Sequence, residues 1–330
     1  MKGRRLVPDE LARRLESLRA GGSFSHGGAG PRGLFGSAAG PDLAALAEFM
    51  SAARRRTDAA LDEALPPGSQ PPAVLHGAVR YAVFPGGKRL RPMLAFGAAS
   101  AGGADLDRAM PVAVAAELIH TCSLVLDDLP AQDNNPLRRG QPAAHIAFDG
   151  ATAMLAGSAL LSAAFAQCTR LADPAASAAV GTGLADTIGS RGLIGGQIDD
   201  LAFDPSGASV EEVEHIHLRK TAALFRFSTW AGGVAAGVTG QDLDRLEAFG
   251  CAYGLAFQIA DDLRDQDPRE CSMLHVLSRS EATARMSDLL DHATREIEVF
   301  GPGGWVLAGL ARNLAARSSR EHRGAREALA

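Results

Sequence analysis

From Asp42 to about residue 317 the chain is one helical pattern after another, and no segment shows sustained period-2 alternation. A half-buried strand must alternate, whereas apolar residues spaced three and four apart mark one face of a helix. Several of these helices are apolar on most faces, which suits central helices packed inside a bundle. The spacing predicts helices over 42–64, 73–84, 89–101, 107–129, 151–171, 175–201, 210–237, 241–267, 273–299 and 303–317. Turn signals such as Pro66-Pro67-Gly68, Pro85-Gly86-Gly87, Asp173-Pro174 and Asp204-Pro205-Ser206-Gly207 separate them. The fold expected is therefore all-α, a large single-domain helical bundle over 41–317. Ahead of it stands an extension, 1–40, with a short helix at 8–20 and a Gly/Ala/Ser-rich linker; a charged tail, 318–330, follows.

Composition narrows the function. A net charge of −5, with only two Trp and two Tyr, argues against a nucleic-acid partner. Cys122, Cys168, Cys251 and Cys271 show no CxxC spacing, so reduced buried thiols in a cytoplasmic chain are expected rather than a disulfide framework. No 18-residue apolar span runs free of charges and glycines, so no membrane span is expected. Arg4 and Arg5 precede no apolar region, and Asp9, Glu10 and Glu16 count against a transit peptide. Of 33 basic residues only Lys2, Lys88 and Lys220 are lysine. A compact ammonium and a planar guanidinium are not interchangeable at a tight phosphate site, so the two internal lysines are of interest.

Two aspartate groups stand out, Asp127-Asp128 with Asp133, and Asp261-Asp262 with Asp265. Both close long apolar helices, where a carboxylate opposes the helix dipole. Asp261 and Asp265 share a helix face, with Gln258 about one turn earlier. Asp127 and Asp133 are six residues apart and converge only if the helix breaks between them, which Pro130 allows. Crowded carboxylates repel unless protonated or bound to cations, and an oxygen-only donor set favours Mg²⁺ delivered with a phosphate substrate over Zn²⁺. A solvated helix end is the bland alternative, and it is weaker for two clusters than for one. Asp199-Asp200 with Asp204 reads as mostly structural.

Cations accompany the carboxylates. Gly86-Gly87-Lys88-Arg89-Leu90-Arg91-Pro92 puts free backbone N–H groups, Lys88 and Arg91 at a helix start, a ready anion site. His120 lies seven residues before Asp127 and so on its helix face, and Arg138-Arg139 follow the first acidic group.

Together these stretches resemble the trans-isoprenyl diphosphate synthases of the polyprenyl synthetase family. The match covers about 45–317 in family order: GGKRLRP at 86–92, the first aspartate-rich motif at 117–140, Gly195-Gly196-Gln197 with Asp200-Leu201, His217 to Thr221 at a helix kink, and Phe257-Gln258 to Asp262. The resemblance implies an isoprenoid-synthase bundle around a deep central cavity, built as a homodimer. It implies that Lys88, Arg91, His120 and Arg139 hold isopentenyl diphosphate. Asp127, Asp133 and Asp261 would bind three Mg²⁺ ions, with Asp128, Asp262 and Asp265 near them. Arg138, Lys220 and Gln258 would contact an allylic diphosphate, and Thr221 would face the forming cation.

Two departures qualify the match. The family's lysine-bearing loop after the second motif is missing, since no lysine follows residue 220, and Pro142-Ala143-Ala144-His145 replaces the usual Pro-Thr-x-His. The shortened loop leaves a second reading, a catalytically weak regulatory subunit of a heteromeric synthase. The intact GGKRLRP stretch and the lack of a second metal motif of the NSE type count against a class I terpene cyclase. Cys122 stands five residues before the first aspartate, where the family's C15 members carry a large aromatic; it and its neighbour Ser123 are both small, which predicts a C20 product, geranylgeranyl diphosphate. Phe148 or Phe165 would be the alternative plug.

Overall fold

The computed structural model describes residues 43–84, 86–264 and 271–327, with side chains to residue 318. The extension at 1–40, with its expected helix at 8–20, and the residues 265–270 lie outside the described residues.

The helices are α1 (Leu43–Ala64), α2 (Ala73–Val83), α3 (Leu90–Ala101), α4 (Met110–Asp127), α5 (Ala144–Ala147), α6 (Gly150–Cys168), α7 (Pro174–Ile188), α8 (Leu193–Leu201), α9 (Val210–His217), α10 (Ala223–Ala236), α11 (Gly240–Arg264), α12 (Arg279–Ile297) and α13 (Trp305–Glu327). Between α9 and α10 the chain makes a π-helical turn, Leu218–Ala222. Two-residue strands β1 (Leu137–Arg138) and β2 (Gln141–Pro142) pair antiparallel. The bundle is all-α in substance.

Local chemistry sets the helix starts. Asp149 caps α6 through Thr152 N at 2.7 Å; Asp173 caps α7 from Ala175 and Ala176, with Pro174 in the first turn; Ser278 and Glu281 form a capping box on α12. Helix α4 runs through the centre, packed by α3, α6 and α10, and α11 packs on α10 and α12. The core is continuous from Leu61 through Leu94, Leu118, Leu160, Phe225 and Phe249 to Leu307.

The boundaries differ from the sequence expectation in five segments. The helix expected over 175–201 is two, because the Gly189–Gly192 turn reverses the chain so tightly that a Cβ on Gly192 would stand 1.9 Å from the Thr187 carbonyl oxygen. The 107–129 and 273–299 segments begin with 3₁₀ turns, Leu106–Ala109 and Met273–His275, before their α-helices start. The 210–237 helix carries the π turn in its middle. The tail expected from 318 is helical to Glu327.

Two helical stretches, Leu106–Asp127 and Gly150–Cys168, are long and apolar enough to cross a membrane by length and composition alone. The first is the bundle's central helix and is 67% buried in protein. The second is 39% buried, and its Met154 and Leu155 face outward.

Candidate active site

One face of α4 faces an opening in the bundle. Glu117, His120, Ser123, Leu124 and Asp127 follow one another at helical spacing and line a cavity of about 710 Å³ that opens to solvent. Pockets for one drug-sized ligand enclose roughly 300–1,000 Å³. This one lies within that range.

The first acidic group forms as its spacing requires. Helix α4 ends at Asp127, and the chain folds back so that Asp133 N donates to the Asp127 carbonyl at 3.0 Å. The residue before Pro130 cannot easily stay helical, so the break falls where the sequence placed it. Burial pushes the Asp127 carboxyl up to about 7, and Asp133 and Asp128 add to the rise against Lys220 and Arg138. Burial, then Asp200 and Asp128, raise Asp133 as well. Carboxylates held this way are short of positive charge.

Asp128 is the exception in this group. One residue on from Asp127 it is turned about 100° round the helix, and it is buried away from the cavity. The Arg138 guanidinium forks onto it, with Nε at 3.1 and 3.0 Å from its two oxygens and Nη2 closing the second arm. Arg138 still lines the cavity, but its charge is already met by Asp128.

The second acidic group splits the same way. Asp261 lines the cavity and accepts from Arg264 Nη2 at 2.7 Å. Asp262 points inward, accepting from Gln258 Nε2 at 2.9 Å and from Met273 N at 2.8 Å, with His217 Nε2 3.7 Å away. It therefore anchors the chain after α11 rather than facing the cavity. Asp265 lies outside the described residues.

Gln258 Oε1 accepts the Thr221 hydroxyl at 2.8 Å, so Thr221, Gln258 and Asp262 form one oriented chain of hydrogen bonds. The π turn that presents Thr221 and Lys220 packs against α8, where a Cβ on Gly196 would meet Lys220 N at 2.3 Å. Lys220 Nζ donates to Asp200 at 2.6 Å. Burial opposes its charge, but Asp200, Asp127 and Asp133 together hold the ammonium above its ordinary range. Asp200 was under-read in the sequence; Asp199 pairs with Arg219 and Asp204 caps Ser206, both structural as expected.

The same cavity is also lined by cations. Lys88, Arg91, His120 and Arg139 all line the cavity. Arg91 lies over the Phe225 ring, 4.5 Å from its centroid, and its buried Nε has no hydrogen-bond partner. Burial lowers its pKa to about 10, leaving it a cation at neutral pH. Burial, then Arg91, Arg139, Arg138 and Arg89, push His120 well below the usual imidazole range, so it faces the cavity neutral. Gly87 lacks the Cβ that would come within 3.0 Å of the Arg139 guanidinium.

The chain-length positions part company. Ser123 lines the cavity, whereas Cys122 is in the core at 7% exposure with its thiol pushed up to about 11 by burial and Asp127. Cys122 is not among the residues that line this opening, since five residues before Asp127 is about 140° off its face. Neither Phe148 nor Phe165 is among the lining residues, and Phe148 packs instead edge-on to Tyr81 at 5.5 Å.

The sequence reading gave no role to Arg89 and Glu117, although both stand inside the quoted motifs, nor to the apolar wall of Phe225, Phe257 and Leu193. Among the described residues no three His, Cys, Asp or Glu side chains converge tightly enough to hold a metal ion by themselves.

Comparison with known proteins places this arrangement. The family model described as polyprenyl synthetase matches residues 72–273, more than half of the chain. This chain belongs to the polyprenyl synthetase family. Among polyprenyl synthetases it is 41% identical over 214 residues to the Arabidopsis thaliana protein named heterodimeric geranylgeranyl pyrophosphate synthase large subunit 1, chloroplastic, over 62% of this chain and 57% of that one. It is 41% identical over 212 residues to the geranylfarnesyl diphosphate synthase of Leucosceptrum canum, over 62% of this chain and 58% of that one. The chain thus spans under two thirds of the length of these curated relatives. A crystal structure of an FPP/GFPP synthase from Zymomonas mobilis superposes with a TM-score of 0.77 at 35% identity, over 83% of this chain and 100% of that one. A geranyltransferase from Legionella pneumophila superposes at 0.78 and 28% identity, over 84% and 99%.

Proposed function

We propose that the chain is a Mg²⁺-dependent prenyltransferase that condenses isopentenyl diphosphate with an allylic diphosphate. The observation that carries this is one cavity lined both by the carboxylates Asp127 and Asp261 and by Lys88, Arg91 and Arg139. A metal-bound and a salt-bridged diphosphate need both kinds of group in one cavity, and the unpartnered Arg91 Nε supplies a donor for the second.

Asp127 and Asp261, which line the cavity, with Asp133 folded back beside Asp127, would hold Mg²⁺, which takes one or two carboxylates and completes its shell with phosphate oxygens and water rather than needing an all-protein cage. When bound, the metal acts as a Lewis acid on a departing diphosphate. Lys220, held cationic by Asp200, adds positive charge where the leaving group develops negative charge. Thr221, fixed by Gln258, turns its oxygen toward the forming allylic cation, since its proton is committed to the amide. Lys88, Arg91 and Arg139 position the homoallylic diphosphate so that its double bond meets that cation. Neutral His120 can donate a hydrogen bond without adding a charge. Phe225, Phe257 and Leu124 keep water from the cation.

The product proposed is C20 geranylgeranyl diphosphate, with Ser123 as the small floor residue. Exposed Leu137, Ile146, Met154 and Leu155 support a homodimer, and four buried unpaired cysteines fit the reducing cytoplasm. The regulatory-subunit reading keeps one support, the lack of lysine after residue 220. Purified protein incubated with isopentenyl diphosphate, Mg²⁺ and each allylic primer decides. Turnover that EDTA abolishes and Asp261→Ala lowers by orders of magnitude is expected; no product from any primer refutes the enzyme and favours the subunit.

A further inference from the structure

Arg89 stands between Lys88 and Arg91, and no contact to a substrate has been assigned to it. Its side chain is 0% exposed. Its φ of 48° puts a non-glycine residue in the left-handed region, which other residues seldom adopt without a reason. Each arm of its guanidinium is used. Nε donates to Asp58 Oδ1 of α1 at 2.8 Å, Nη1 to Glu117 Oε1 of α4 at 2.7 Å, and Nη2 to the Val83 carbonyl at the end of α2 at 3.0 Å. One side chain thus ties three helices together where the Gly86–Arg89 loop crosses them. The left-handed residue turns the chain into α3, so that Lys88 from the loop and Arg91 from the first turn of α3 both reach the cavity.

Glu117 makes the arrangement matter for binding. It is 2% exposed and lines the same cavity, one turn below His120. An unmatched carboxylate beside an anion subsite repels a diphosphate, and in a poorly solvated wall that repulsion is only weakly screened. Arg89 matches it.

We propose that Arg89 is a positioning residue for the homoallylic diphosphate: it neutralises Glu117 and locks the left-handed turn that aims Lys88 and Arg91 at the same anion. This rests on the assignment of that wall to isopentenyl diphosphate made above.

The experiment compares wild type, Arg89→Gln, Arg89→Lys and the double variant Arg89→Gln/Glu117→Gln. KM is measured for isopentenyl diphosphate and for the allylic primer separately, with folding followed by circular dichroism. Arg89→Gln is expected to raise the isopentenyl diphosphate KM at least tenfold and the allylic KM less than threefold. Adding Glu117→Gln is expected to recover at least threefold, because the uncompensated carboxylate is gone. No recovery would make Arg89 a direct ligand, and a parallel rise in both KM values would make it a general structural residue; either overturns the proposal. Should Arg89→Gln fail to fold, the double variant has no unpaired buried charge and Arg89→Lys keeps the charge without the fork. An isopentenyl-selective rise in these two still supports the proposal, and wild-type KM values in both overturn it. Wild type without turnover sinks the prenyltransferase reading and this inference with it. Wild-type turnover with a wild-type KM in Arg89→Gln sinks the positioning role alone.

Discussion

Replacing Ser123 by phenylalanine should shorten the product by about one C5 unit, from C20 to C15. Ser123 sits four residues before Asp127 on the face that lines the cavity, about 6 Å down the helix axis from the carboxylate. A phenyl group there projects into open space and removes about one helical turn of depth, roughly 5.4 Å. The hydroxyl lost donates only to the His120 carbonyl at 2.9 Å, a bond within its own helix, so the fold should tolerate the change. Cys122→Tyr is the contrast. Its side chain would enter the packed core, where overpacking costs about 1–3 kcal/mol, so a lower Tm with an unshortened product is expected. The assay is product chromatography beside a thermal melt for wild type and both variants. A C20 product from Ser123→Phe, or a shortened one from a well-folded Cys122→Tyr, would refute the assignment of the channel to this face of α4.

In metal-free buffer, Asp127 should make the protein less stable as pH rises. Burial lifts its carboxyl to about 7, above the ordinary carboxylate value of about 3.9, so between those values the folded state binds more protons than the unfolded one and unfolding free energy falls with pH. Urea melts in EDTA at pH 5 and pH 8 should show Asp127→Asn gaining on wild type at the higher pH by roughly 2–4 kcal/mol, and an equal gap at both pH values would contradict the burial argument. Asp200→Asn removes the partner of Lys220, a charge-assisted bond worth about 1.5–3 kcal/mol; a rise of about 10- to 100-fold in allylic KM is expected, and an unchanged KM would detach Lys220 from the allylic diphosphate. Light scattering on a size-exclusion column should give a dimer mass that Met154→Glu/Leu155→Glu converts to a monomer, and a monomeric wild type would rule out the homodimer.

Much of this site was legible in the chain itself. The two aspartate groups, the glycine-lysine turn and the arginine pair are local strings, and a string near a helix end stays near that end however the bundle packs. His120 on the Asp127 face is likewise a matter of helical period alone. The break after Asp127 followed from six-residue spacing and one proline. Less legible were the element boundaries, because periodicity averages over several residues: the Gly189–Gly192 turn and the π turn at Leu218–Ala222 each interrupt an apolar pattern that continues on both sides.

The sequence by itself determined the all-α class, the absence of a strand pattern and the inventory of charged groups, since these depend on neighbours within a few turns. Only the tertiary structure decided which of those groups face the cavity. Adjacent aspartates on a helix diverge by about 100°, so Asp127 and Asp261 turn to the opening while Asp128 and Asp262 are taken up by Arg138 and by Gln258 with Met273 N. Ser123 and Cys122 divide for the same reason. The Arg89 pairs with Asp58 and Glu117 join residues 31 and 28 positions apart, and no periodicity carries information across such a gap. Their Coulombic worth depends on distance and burial, and packing alone sets both.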